Sequence, residues 1–262
     1  MLIDGEFREE VTSVVPCGKC PDCLRRRQAS WAFRLRQELK QSSSAVFLTM
    51  TYKNTPLTLN QRETLKKEDC QKFIKRLRKN TGKKLKYYLA GEYGTETKRP
   101  HYHAIIFNLP TKFTKVADFL EADWKLGLCH IGTCTAASIT YVTKYIMKGS
   151  WEPEDELDDR LPQFSLMSKG LGKNFLTPAM IKHIKENEKT YVDLPGGVKQ
   201  TMPRYYKEKI YSENERRKIQ KDSIVYNESC DDAYQSELHR KAWIQRQFEK
   251  VKEDRQQKRR LL

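Results

Sequence analysis

The first periodic stretch of the chain is helical. Between Leu24 and Lys40, the apolar residues Leu24, Trp31, Leu35 and Leu39 recur at helical spacing, while Arg25, Arg26, Arg27, Arg34 and Arg36 take the other faces. Ser42, Ser43 and Ser44 interrupt that pattern. Ala45–Tyr52 is β-branched and aromatic enough for a strand, which Asn54, Thr55 and Pro56 end. A second helix is expected over Leu65–Lys79, with Phe73, Ile74 and Leu77 as its apolar side and Gly82 just past its end. Lys86–Glu92 and Pro100–Phe107 read as two strands around the polar loop Tyr93–Arg99, which predicts a hairpin. A short helix over Thr114–Trp124, a strand around Leu128–Ile131 and a helix over Ala136–Lys148 complete the middle of the chain. The order β, α, β, β, α, β, α predicts the α+β class, an antiparallel or mixed sheet backed by helices.

The flanks are less regular. Residues 1–16 carry no clear pattern, and Pro16–Cys23 reads as a knuckle-like turn. Residues 151–160 are acidic in a basic chain, which suits either a solvated loop or a segment that shields a basic groove. Pro178, Pro195, Gly196, Gly197 and Pro203 predict compact irregular structure over 161–211, with one short helix near Pro178–Lys189. From Ser212 onward the chain is almost continuously charged, with Ile244, Phe248 and Val251 on one helical stripe. The expected organisation is a cysteine-rich turn and basic helix (1–44), a core (45–150), an extension of that core (151–211) and a charged helical tail (212–262).

Composition narrows the partners. Of 262 residues, 50 are Lys or Arg and 34 are Asp or Glu, a formal charge of +16 that favours phosphate-rich or acidic partners. A hydrophobic fraction of 38% can close a core, which excludes a wholly disordered chain. No apolar run approaches the ~20 residues of a membrane span, and the N-terminus lacks a signal-peptide core, so no membrane association is expected. Seven cysteines, three of them clustered, suit a reducing compartment better than a disulfide framework.

Two patterns carry chemistry. His101 and His103 lie two apart within an apolar strand, so both imidazoles point to one face and are able to converge on one cation. A hard cation adds a carboxylate; Glu92 is nearest by hairpin logic and Glu96 second, with the face that Glu92 occupies left open by the loop. On the Ala136–Lys148 helix, Ile139, Val142 and Ile146 share an apolar face. Tyr141, Tyr145 and Lys148 fall on the far side, and Lys144 sits between. Cys17, Cys20 and Cys23 have spacing for a soft metal, but three thiolates leave a tetrahedral Zn²⁺ site one ligand short. Cys70, Cys129, His130 and Cys134 are distant candidates for the fourth, and three unligated thiols are the alternative. Arg25, Arg26, Arg27, Lys98, Arg99 and Lys148 are candidate DNA contacts, and Tyr87, Tyr88, Tyr205 and Tyr206 candidate base-stacking surfaces.

His-hydrophobic-His on a strand, an upstream Glu and a Tyr-x-x-x-Tyr helix together resemble the HUH endonuclease superfamily, above all its rolling-circle replication initiators. Phe47–Tyr52 is similar to the first strand motif of those initiators, Arg99–Phe107 to the second and Tyr141–Tyr145 to the third, in the family's order. Pro16–Cys23 followed by arginines, and Phe164–Ser168, resemble the initiators of gokushovirus-type microviruses, single-stranded DNA phages or prophages. The resemblance implies an RRM-like or ferredoxin-like antiparallel sheet flanked by helices. It implies Mg²⁺ or Mn²⁺ at His101, His103 and Glu92, and attack by Tyr141 or Tyr145 with Lys144 stabilising charge. It implies nicking of single-stranded origin DNA through a 5′-phosphotyrosine, rejoining of the strand, host helicase and polymerase as partners, and action in the bacterial cytoplasm. An HUH transposase or relaxase, or a non-catalytic RRM-like nucleic-acid binder, are the alternatives.

Overall fold

The computed structural model describes residues 16–109, 120, 123–148 and 153–229, with backbone alone at 147–148 and 222–229. Helix α1 spans Pro21–Gln41 and strand β1 Ala45–Thr51. Helix α2 (Lys67–Thr81), strands β2 (Lys86–Tyr93), β3 (Pro100–Phe107) and β4 (Cys129–Thr133), and helix α3 (Ala136–Lys144) follow. After them come β5 (Phe164–Met167), α4 (Pro178–Glu186), β6 (Tyr191–Asp193), β7 (Lys199–Thr201), α5 (Arg204–Ile210) and α6 (Glu213–Ser229). The main sheet has the order β4-β1-β3-β2-β5 and every pairing in it is antiparallel, in keeping with the expected α+β class.

Both faces of this sheet are covered, and the strand sequences show why. In β3, Tyr102, Ala104 and Ile106 point one way while His103, Ile105 and Phe107 point the other, and all six are buried. On the first face α2 contributes Cys70, Phe73, Ile74 and Leu77 to a core with Leu48, Met50, Leu89, Tyr102 and Trp124. On the second, Leu35 of α1 and Ile139 and Val142 of α3 pack on Tyr88, Ala90, Ile105 and Phe107. Each such fully buried large side chain contributes roughly 1.5–3 kcal/mol relative to exposure. A third cluster joins Phe33 of α1 to Ile184, Val192, Met202, Tyr206, Ile210 and Tyr211.

Several boundaries differ from the sequence expectation. Helix α1 starts at Pro21, three residues early, because Pro21 stands at its first turn where no amide partner is needed. Cys23 therefore lies inside the helix rather than in a turn. Helix α3 ends at Lys144, and Tyr145–Lys148 tightens into a 3₁₀ turn. Thr143 Oγ1 bonds back to the Ile139 carbonyl at 2.8 Å, which competes with the regular ladder there. The stretch 161–211 is more ordered than its prolines and glycines suggest: β5 extends the sheet, and β6 and β7 form a separate hairpin. Within the acidic stretch, Asp158 and Arg160 are buried and paired at 2.7 Å, and Glu154 and Asp155 reach Arg62, so this is a pinned segment. The expected Thr114–Trp124 helix lies mostly outside the described residues, as do residues 1–15 and the Ile244, Phe248, Val251 stripe.

Candidate active site

Antiparallel register assembles the polar cluster. Glu92 of β2 faces His101 of β3 directly, and Ala90 faces His103, so Glu92 shares the imidazole face. Their candidate ligand atoms all lie within 4.8 Å of one another. Glu92 Oε1 is 2.7 Å from His101 Nε2 and 3.2 Å from His103 Nε2. Glu92 and His103 are buried, and His101 is partly exposed.

The other ring nitrogens are held from behind. His101 Nδ1 lies 3.1 Å from the Arg99 carbonyl, which can only accept, so this nitrogen carries the proton. Unless the ring is protonated, His101 Nε2 then presents a lone pair to the Glu92 carboxylate, an arrangement that is favourable only with positive charge between them. His103 Nδ1 lies 3.1 Å from Thr49 Oγ1. His103 Nε2 is buried and, despite its closeness to Glu92, makes no hydrogen bond. Two imidazole nitrogens and a carboxylate, with one nitrogen orphaned and both rings buttressed, fit a divalent cation that favours N and O ligands.

The tyrosines close around His103. Thr135 accepts the Ser138 amide at 3.3 Å and Ser138 Oγ takes the Thr135 amide at 3.2 Å, a reciprocal cap that fixes where α3 begins. At its far end the Tyr145 ring stacks on His103, with centroids 5.3 Å apart and planes within 1°. Tyr141 meets the same imidazole edge-on at 5.1 Å and Tyr145 at 5.4 Å. Phe47 stacks on His103 at 5.6 Å. Tyr141 is 42% exposed whereas Tyr145 is half-buried. Burial, then hydrogen bonds to Tyr141 and Glu92, push the Tyr145 phenol well above its usual range. Lys144 is exposed, with Nζ 5.7 Å from the centre of the Tyr141 ring.

Other predicted site residues are placed separately. Arg25, Arg26 and Arg27 form an exposed ridge on α1. Lys98 is exposed and lies 3.6 Å from Glu154, and Arg99 donates to the Tyr52 carbonyl. The Lys148 side chain is outside those described. Tyr88 and Tyr206 are fully buried and cannot stack a base, and Tyr205 packs on the Arg34 guanidinium at 3.9 Å. Cys17, Cys20 and Cys23 bring their sulfurs within 4.8 Å of one another, with Cys17 and Cys23 at 3.9 Å. The Cys20 amide donates to Cys17 Sγ at 3.2 Å. Backbone N–H groups of Cys20 and Lys19 lower the Cys17 thiol to about 7. Among the described residues, Cys70, Cys129, His130 and Cys134 are not part of this group. Sequence reasoning missed Phe47 and Thr49 as partners of His103; their spacing of two on the neighbouring strand is the signal that would have found them.

The fold and site define a class: an α+β protein with a buried Glu-His-His cluster against a helix bearing two tyrosines. A family model of the replication-associated protein ORF2 matches residues 45–150. Replication-associated protein VP4 of Bdellovibrio phage phiMH2K is 29% identical over 222 residues, covering 77% of this chain and 69% of that protein. Replication-associated protein ORF2 of Spiroplasma virus 4 is 30% identical over 223 residues, covering 78% and 69%. Replication-associated protein ORF4 of Chlamydia phage 1 is 25% identical over 239 residues, covering 81% and 58%. The chain belongs to this family of replication-associated proteins. No solved structure matches it. No described helix is long and apolar enough to cross a membrane.

Proposed function

We propose that this chain is a replication initiator that nicks single-stranded origin DNA through a tyrosine. The observation that carries this reading is the packing of Tyr141 and Tyr145 against His103, one ligand of the Glu92–His101–His103 cluster. A Mg²⁺ or Mn²⁺ ion bound by those three residues would supply Lewis-acid polarisation of the scissile phosphate. Glu92 and the two imidazoles, held by Arg99 and Thr49, orient that phosphate beside the phenols. One phenol loses its proton and its oxygen bonds the phosphorus. The bond to the 3′ oxygen breaks, giving a 5′-phosphotyrosine and a free 3′-OH that a polymerase can extend. The link keeps the phosphodiester energy, so the strand can be rejoined. Two phenols 5.4 Å apart allow a second cleavage while the first link is intact. Lys144, beside Tyr141, stabilises the developing negative charge. The cysteine trio is read as a structural Zn²⁺ knuckle at the start of α1. The test is an SDS-resistant protein–DNA adduct formed with a single-stranded origin oligonucleotide and Mn²⁺. Tyr141→Phe combined with Tyr145→Phe should abolish it, as should His101→Ala; an adduct surviving either change refutes the reading.

A further inference from the structure

A groove of about 650 Å³ lies at the end of β1, lined by Thr51, Tyr52, Lys53, Arg99, Lys125, Gly127 and Leu128. It adjoins the polar cluster on two sides. Thr51 pairs with His101 in the β1–β3 register, and the Arg99 carbonyl holds His101 Nδ1. The lining carries three cations, Lys53, Arg99 and Lys125, and no carboxylate.

The groove is built on backbone. The Thr51 amide donates to the Leu128 carbonyl at 3.0 Å and the Lys53 amide to Leu126 at 2.7 Å, so the loop before β4 continues the ladder past the strand. The loop is pressed so close that a Cβ on Gly127 would sit 2.3 Å from the Thr51 carbonyl oxygen. Trp124, fully buried, donates from Nε1 to that same oxygen at 2.9 Å. Lys125 adopts a left-handed conformation, φ 63°, which is uncommon for a side-chain-bearing residue and marks a constrained turn. Lys53 and Lys125 are exposed, Arg99 donates to the Tyr52 carbonyl, and Leu128, 71% exposed, adds an apolar surface beside them.

We propose that this groove is a phosphate-backbone track for the single-stranded DNA that enters the Glu92–His101–His103 cluster. Lys53, Arg99 and Lys125 contact successive phosphates and Leu128 packs against a sugar or base. This rests on the proposed function and adds to it the path of the substrate. Cations on a fixed backbone frame suit an extended polyanion, because each neutralised phosphate releases counterions while the frame needs little reordering.

The test is fluorescence anisotropy with a labelled single-stranded oligonucleotide of mixed sequence, using the full chain in EDTA. Under those conditions binding is read without cleavage. Lys53→Ala with Lys125→Ala should weaken binding roughly three- to tenfold at low salt and lower the slope of log K against log salt by about 1.4. The control, Lys83→Ala with Lys84→Ala, removes the same charge from an exposed turn between α2 and β2. If the two double variants lose affinity and slope equally, the groove is only part of a general basic surface and the proposal is overturned. Failure of the proposed cleavage shows separately, as a wild-type chain that forms no adduct while the groove variants still bind more weakly than the control.

Discussion

Tyr102→Phe separates what supports the histidine strand from what the histidines themselves do. Tyr102 lies between His101 and His103 but its side chain crosses to the opposite face, where it is fully buried. Its hydroxyl is 2.8 Å from Tyr52 Oη and accepts the Lys66 amide at 2.8 Å. Lys66 is the N-cap of α2 and provides no side-chain cap, so the phenol meets the amide at the helix entrance. Removing one oxygen leaves the ring packing intact. An orphaned amide with its lost hydrogen bond costs roughly 1–3 kcal/mol. Tyr52 keeps its bond to Asp69 at 2.9 Å, so only one group is stranded and the expected loss is about 1–2 kcal/mol. Urea unfolding followed by tryptophan fluorescence measures it, because Trp124 lies 5.6 Å from Tyr102. The midpoint should fall with an unchanged slope. Mn²⁺ affinity by calorimetry should stay within about threefold, a difference under ~0.7 kcal/mol. A stability loss below ~0.3 kcal/mol would refute the assigned role of the hydroxyl, since it would fall short of even a typical hydrogen bond. A large fall in Mn²⁺ affinity would refute the claim that the two faces are independent.

Three further outcomes follow. Gly127→Ala forces a Cβ into the Thr51 carbonyl, where backbone rather than a flexible side chain must yield, and should cost on the order of 2–3 kcal/mol in urea unfolding. Mn²⁺ at about 100 times its Kd should stabilise the chain by roughly 2.7 kcal/mol, and Glu92→Gln should remove most of that gain in a thermal shift assay. Glu215 is held near 2, below its ordinary 4.5, by the Ser212 amide and Lys185, so its stabilisation is present above pH 4.5 and disappears as pH falls toward 2. The wild type should therefore exceed Glu215→Gln in resistance to unfolding at pH 6, with the gap narrowing through that acid range.

The middle of the chain was legible because each element there is long and strongly periodic. Pro100–Phe107 has the same bounds in sequence and structure, and strand alternation alone put His101 and His103 on one face. The position of Glu92 was not legible, since it depends on the pairing across the loop 94–99 rather than on any local pattern. Strand β5 was missed because four half-buried residues, Phe164–Met167, give too short a pattern, and it pairs with β2 more than seventy residues earlier. The burial of Arg34 between Trp31 and Tyr205 was equally hidden, because one ring comes from α1 and the other from α5. A basic helix reads as a solvated face until the distant aromatic is in place.

Strand β3 is paired along its length on both sides, by β1 and by β2. Its amides are thus expected to exchange with solvent only when the whole domain opens. Tyr141 and Tyr145 instead sit at the end of a nine-residue helix that has already loosened into a 3₁₀ turn. The two halves of the site consequently belong to parts of the molecule with different opening free energies. A brief fraying at Tyr145 would swing a phenol away from His103 and toward an incoming strand, while the three cation-binding side chains keep their positions.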